Sequence, residues 1–312
     1  MIILDYMECM MKRKSYAKMN LCLNIVNRRD DGYHNQDMVM VPISLFDTVE
    51  ISENDTMEMT TDKNYLPVDK RNSVIKAINI LRNEYHFKEN FDVKVVKNIP
   101  TRSGMGGGSA NAATVIKMLN DYLELDMSDD KLLEFADLVE TDAPFTMYGK
   151  PAHVEGIGNI INPVKVNLDF HIFIVKPKKG LSTPMVFKRI KSKTLKEFDS
   201  AKVIEALETN NYQMLVDNMG NALEEVAASI SPEIKRIKKE LIEFGFDNAI
   251  MTGAGSTVFG ISQDEDLVNR AVSHFFDKYS FVKKAKVIKD VSMSEHITRK
   301  KDAYEKSNNN SE

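Results

Sequence analysis

"IPTRSGMGGGSANAATVIKMLN", residues 99–120, packs four of the chain's 14 glycines into the five positions 104–108. An alternating segment, "FDVKVVKNI", leads into it. Ala112, Ala113, Val115, Ile116, Met118, Leu119 and Leu123 lead away at helical spacing. A strand-to-helix turn built of glycine lets backbone amides approach a ligand without side chains in the way. The helix starting near Ser109 then offers unsatisfied N–H groups and a positive dipole end, the ingredients of an anion site. The stretch is not a P-loop, because the lysine and hydroxyl residue required after the second glycine are missing. Nor does it follow the dinucleotide fingerprint. Close packing of a helix on a sheet is the plain alternative, and the geometry favours phosphate.

Upstream, Ala17, Met19, Leu21, Leu23 and Ile25 alternate with Lys18, Asn20, Cys22 and Asn24. Period two predicts a strand over 15–28 with one apolar face, Lys18 and Asn20 sharing the other. "RRDDGYH" reads as a turn. "DMVMVPISLFDTVEIS" and "DTMEMT" read as strands, with Pro42 at a bulge or edge. "RNSVIKAINILRNEYHF" is helical, capped by Asn72 or Ser73. Downstream, "SDDKLLEFADLVE" is a helix that "TDAPF" ends, since Pro144 denies Ala143 helical geometry. The second half holds a strand at "FHIFIVKP" and a short helix at "STPMVFKRI". Two longer helices follow, the second with Ser231 as N-cap, Pro232 at its first position and Gly245 at its end. A strand–glycine turn–strand, "NAIMTGAGSTVFGIS", a helix and a final strand at "KKAKVIKDV" close the order. Strands and helices mix in both halves without regular βαβ alternation, so the fold class is α+β.

The 312 residues suffice for two domains. With 43% hydrophobic and 28% charged residues the composition is that of a globular protein, and a net charge of −4 leaves no footprint for nucleic acid. Two cysteines, Cys9 and Cys22, exclude a disulfide framework and suit a reducing cytoplasm. No apolar run approaches the ~20 residues that span a bilayer, and Asp5 and Glu8 interrupt what would be a signal peptide. Residues 1–13 are expected to be a poorly ordered extension and 299–312 a disordered tail.

Taken singly, Lys18 reads as a solvated lysine, Asp142 as a turn aspartate, "DGYH" as a turn and "MTGAGSTVFG" as a hairpin. Their order along the chain is more specific. "AKMNLCLNI", "RRDDGYH", "IPTRSGMGGGSANAATV", "NALEEVA" and "MTGAGSTVFG" together resemble the GHMP kinase superfamily. Within it they resemble the branch that phosphorylates a cytidine diphosphate-linked methylerythritol, whose "DGYH" signature other members lack. The resemblance covers about residues 14–291.

The resemblance implies a two-lobed α+β fold with the active site in the cleft between lobes, residues 14–160 and 161–298. It implies Lys18 and Asp142 as the catalytic pair. Pro100, Thr101, Arg102, Ser103, Gly104, Met105, Gly106, Gly107, Gly108, Ser109 and Ala110 match the ATP triphosphate loop, with Asn72 and Lys97 near the adenosine. Asn20, Tyr33, His34 and Phe187 match the substrate side, Tyr33 and Phe187 flanking the cytosine. ATP and Mg²⁺ are the implied cofactors, the latter with no assigned protein ligand. The implied reaction phosphorylates the substrate's 2-hydroxyl in the non-mevalonate route to isoprenoid precursors, by a cytoplasmic monomer or weak homodimer. Asp142 would take the hydroxyl proton, or only orient the hydroxyl while Lys18 and Mg²⁺ carry the electrostatics. Two alternatives stay open: a family kinase for another small alcohol, of the mevalonate or homoserine class, and a non-catalytic nucleotide binder. In "ETDAPF", Glu140 and Thr141 stand where the family usually has Gly-Ala. An inward Glu140 would disfavour a charged neighbour, and an outward one would leave it alone. Thr101, Arg102 and Ser103 replace smaller residues at the loop's entrance.

Overall fold

Strand β1 spans Met11–Arg28 and pairs antiparallel with β2, His34–Asn54, in a computed structural model that describes residues 10–190 and 195–292. Residues 11–13, expected in the N-terminal extension, are therefore part of the sheet. Met11 is buried and Arg13 pairs with Asp121 at 2.5 Å. Residues 1–9 of that extension and the whole 299–312 tail lie outside the described residues.

The period-two reading of β1 holds only in part. From Tyr16 to Asn24 the strand is buried on both faces, and its register against β2 shifts three times, one shift lying between Asn20 and Cys22. A bulge puts two consecutive residues on one side and reverses the alternation beyond it. Leu21 and Cys22 accordingly join the core of Ala17 and Met19, while Leu23 turns toward the opposite core and the cleft. Pro42, opposite Lys18, stands at another of these shifts and donates nothing to the ladder.

The N-terminal sheet runs β3 (Glu58–Thr61), β4 (Asn90–Val96), β2, β1, β8 (Gly220–Asn221), with β5 (Ala152–Gly156) on the other half of β2 and β6 (Ile160–Pro163) on β5. A boundary after residue 160 would thus cut β6. Helices α1 (Ser73–Tyr85), α2 (Gly107–Tyr122), α3 (Asp129–Val139) and α4 (Ala143–Tyr148) share an apolar core with β2, β3 and β4. Asn72 caps α1, its side chain accepting the Val74 N–H at 3.0 Å. Pro144 does not end a helix. It lies in the first turn of α4, where its missing N–H costs no helical bond, and Ala143 opens that helix.

The C-terminal half contributes a four-stranded antiparallel sheet, β11 (Phe281–Lys286), β7 (His171–Lys176), β10 (Val258–Ser262), β9 (Asn248–Met251). Around it lie α5 (Thr183–Phe187), α6 (Ser200–Glu208), α7 (Tyr212–Asn218), α8 (Glu224–Ile230), α9 (Glu233–Phe244) and α10 (Glu265–Phe275). Helix α9 starts one residue later than the sequence pattern suggests, with Pro232 just before it and Gly245 at φ 118° closing it. Two further cores mix both halves. One joins Leu23, Met38 and Phe145 to Phe173, Ile237 and Phe275; the other joins Ala17, Leu21 and Val41 to Ile172, Val203 and Phe259. The lobes are fused along β1 rather than tethered by a linker.

Candidate active site

The glycine stretch lies where both halves meet. Gly106 precedes α2 with φ 67°, and α2 begins without a side-chain cap and without an acidic residue in its first turn. Its first amides are therefore available to a ligand. Gly106 also allows close approach of the catalytic candidates. A Cβ there would stand 2.9 Å from Lys18 Cγ and 3.7 Å from Asp142 Oδ2. Gly104 and Gly253 interlock through backbone alone. A Cβ on Gly104 would meet the Thr252 carbonyl oxygen at 2.2 Å, and one on Gly253 the Gly104 oxygen at 2.7 Å. Asn221 holds this second glycine turn, donating to the Met251 and Gly253 carbonyls at 2.7 and 2.8 Å.

Lys18 and Asp142 face each other, Nζ to Oδ2, at 3.3 Å. Lys18 is buried, whereas the Asp142 side chain is 34% exposed and opens on the cleft. Asp142 occupies the N-cap position of α4 but makes no capping bond, so its carboxylate is left for Lys18 and the cleft. The Lys18 ammonium also donates to Asn20 Oδ1 at 2.8 Å, and its backbone N–H donates to the Met105 carbonyl at 3.1 Å. Asn20, expected beside the substrate, is fully buried. It receives a bond from Lys18, donates to Met38 Sδ at 3.4 Å, and its N–H donates to Thr252 Oγ1 at 3.0 Å. Asn20 thus contacts Lys18 from below and is not among the residues that line the cleft.

The cleft measures about 1040 Å³, at the upper end of pockets that take one small molecule. Gly104, Ser109, Glu140 and Asp142 line one side, and Tyr33, His34, Phe187 and Lys188 line another. Tyr33 projects from the turn and is exposed, its N–H held by Asp31 Oδ1 at 3.0 Å. His34 is buried with its ring centroid 5.5 Å from that of Phe187, tilted by 54°. Burial, reinforced by Arg28, pushes the His34 imidazole below its ordinary pKa.

The remaining expected residues are placed differently. Lys97 is buried and paired with Asp47, whose carboxylate also accepts the Asn98 and Ile99 N–H groups at 2.7 Å each; burial pushes the Asp47 carboxyl up. The Lys97 amine sits under the loop, 3.1 Å from where a Gly107 Cβ would be. Asn72 spends its side chain on the α1 cap and on the Pro67 carbonyl, 2.8 Å away. Pro100 and Thr101 are half-buried at the loop's entrance, and Ser103, Met105 and Ala110 are buried beneath it. Arg102 is exposed with φ 51°, and its carbonyl accepts the Leu181 N–H at 3.2 Å, tying the loop to the segment that leads into α5. Glu140 is exposed and makes no hydrogen bond to Asp142. Its carboxylate accepts hydrogen bonds from Ser109 Oγ, at 2.7 Å, and from Ser73 Oγ. The sequence reading missed Thr252, which follows β9 directly, and Asp47, within β2; the partners of both are remote in the chain. Among the described residues no cluster of His, Cys, Asp and Glu is arranged to hold a metal, and no helix is long and apolar enough to cross a membrane.

Residues 72–150 match the family model for the GHMP kinases N terminal domain, and residues 203–280 that for the GHMP kinases C terminal domain. The chain is 35% identical over 280 residues to the 4-diphosphocytidyl-2-C-methyl-D-erythritol kinase of Clostridium tetani, covering 89% of this chain and all of that one. It is 34% identical over 271 residues to the enzyme of that name from Clostridium novyi, covering 86% and 97%. A crystal structure of 4-(cytidine 5'-diphospho)-2C-methyl-D-erythritol kinase superposes with a TM-score of 0.75 at 23% identity, over 88% of this chain and 98% of that one. Homoserine kinase from Cytophaga hutchinsonii shares the fold at a TM-score of 0.71 and 16% identity, over 96% of this chain and all of that one. An uncapped glycine-loop helix beside a lysine–aspartate pair in one cleft is thus joined to full-length sequence similarity, and the chain belongs to the GHMP kinases, in the family of the 4-diphosphocytidyl-2-C-methyl-D-erythritol kinases.

Proposed function

We propose that this chain transfers the γ-phosphoryl group of ATP to the 2-hydroxyl of 4-diphosphocytidyl-2-C-methyl-D-erythritol. The observation that carries the reading is the placement of the Lys18–Asp142 pair between the amides at the start of α2 and the aromatic side of the cleft. Phosphoryl transfer asks a protein chiefly to position two ligands and stabilise charge. The amides of residues 106–109 bind the triphosphate. Tyr33, His34 and Phe187 receive the cytosine, which brings the methylerythritol end toward Asp142. Asp142 accepts the hydroxyl proton, and Lys18, oriented by Asn20, stabilises the charge on the attacking oxygen. Ser109 and Glu140 offer hard oxygen donors at the loop's mouth, a set that fits Mg²⁺. The ion, when bound, offsets negative charge on the phosphates.

The test is incubation of the purified protein with Mg-ATP and 4-diphosphocytidyl-2-C-methyl-D-erythritol, following ADP release. Turnover that requires this acceptor is expected, with none on mevalonate or homoserine. No ADP above background, with ATP binding intact, would remove the assignment.

A further inference from the structure

Glu140 follows α3 in an extended conformation, φ −156°, which swings its side chain across the first turn of α2. Its carboxylate accepts bonds from Ser109 Oγ and Ser73 Oγ, and its oxygens would lie 3.8 and 3.9 Å from a Cβ on Gly108. A carboxylate therefore stands at the mouth of the cradle assigned to the triphosphate. An anion held by the first amides of α2 and this carboxylate would repel each other, in the same measure as opposite charges attract. Two serine hydroxyls from different helices hold Glu140 there, so it is not a side chain that drifts away at no cost. A nucleotide whose charge is already offset by a divalent cation meets far less repulsion. Such a cation also finds oxygen donors on Glu140 and Ser109.

We propose that Glu140 is a charge gate on the nucleotide site: it disfavours metal-free triphosphate and makes tight binding conditional on a divalent cation. The proposal rests on the kinase reading of the site and adds to it a selection for the form of the nucleotide. The Glu140→Gln variant keeps oxygen to accept from both serines and removes the charge. Ser73→Ala removes one tether and keeps the charge.

The experiment titrates ATP calorimetrically into the full chain and both variants, once in excess EDTA and once in excess MgCl2, with no acceptor present. The readout is the ratio of the two dissociation constants. Glu140→Gln is expected to narrow the preference for the Mg²⁺ form by about five- to tenfold, mainly through tighter binding of metal-free ATP. Ser73→Ala should hold the original ratio within about twofold. An unchanged ratio in Glu140→Gln overturns the proposal, as does equal weakening of both forms, the pattern of a purely structural tether. Intact ATP binding without turnover of the acceptor would sink the acceptor assignment alone. Absence of ATP binding by the unaltered chain would sink both.

Discussion

Lys18 divides its ammonium between Asn20 Oδ1 at 2.8 Å and Asp142 Oδ2 at 3.3 Å, and its backbone is bonded to the glycine loop. The buried partner fixes where the lysine points, and the cleft-facing partner is the one that can touch an acceptor. Asp142→Asn retains the shape and loses the base, so kcat should fall by about 10²–10⁴-fold. ATP affinity, measured by calorimetry, should stay within about threefold. Retention of most activity would leave Asp142 as an orienter only. Asn20→Ala separates positioning from substrate contact. With Asn20 acting through Lys18, kcat should drop by about ten- to a hundredfold and the acceptor KM should barely move. A variant whose acceptor KM rises while kcat holds would return Asn20 to the substrate. That Asn20 shares a strand face with Lys18 was legible from period two; that it lies underneath was not. Its partner Thr252 is 232 residues away, and a bulge intervenes just after it.

At the scale of elements, the glycines of one loop serve different ends. Gly104 is at φ 78° and butts against the Thr252 carbonyl, so Gly104→Ala combines a left-handed backbone penalty with a clash that neither turn can relieve. It should cost about 2–4 kcal/mol, read by urea unfolding. Gly108 lies inside α2 in an ordinary conformation, and a Cβ there meets Ser73 Oγ at a tolerable 3.4 Å. Gly108→Ala should leave stability within about 1 kcal/mol, since alanine favours helix, yet raise the ATP KM on the order of tenfold by placing a methyl group in the cradle. Equal stability losses at the two positions would contradict the division between interlock and cradle. The strand-to-helix reading of this stretch is legible because glycine clustering and helical apolar spacing are local properties. Helix α4 was not. Pro144 was read as a terminator, and only its neighbours show that it starts a new turn and leaves Asp142 uncapped at the cleft.

At the scale of the molecule, the halves are joined by mixed apolar cores and by a polar junction around Asp37. Asn24 and Ser200 donate to Asp37 Oδ2 at 3.0 and 2.7 Å, and His153 Nε2 lies 2.7 Å from its other oxygen. Asn24 further clasps the backbone of Phe198, which leads into α6. Burial pushes the Asp37 carboxyl up, but the bonds from Asn24, Ser200 and His153 outweigh it and hold the pKa below the ordinary 3.8. A carboxylate with a lowered folded pKa contributes stability above its unfolded pKa and loses it as pH falls through the folded value. Asp37→Asn should therefore destabilise the protein by about 1–3 kcal/mol at pH 7, and the gap to the parent should close as pH drops below about 4. A gap that persists undiminished at pH 3 would show that the carboxylate's charge is not what matters there.

The sequence by itself determined the α+β class, most of the order of elements, the glycine strand-to-helix turn at 104–109, and, through five motifs in a fixed order, the family. These rest on alternation, helical spacing and backbone freedom, which are properties of neighbours in the chain. Only the tertiary structure decided that β1 is buried on both faces, that Asn20 supports Lys18 from beneath, that Lys97 is committed to Asp47, and that Glu140 stands across the first turn of α2. Each depends on a partner from a distant segment or on a bulge that reverses which side a residue faces. Residue spacing does not encode such pairings; they follow from the packing of both halves around β1.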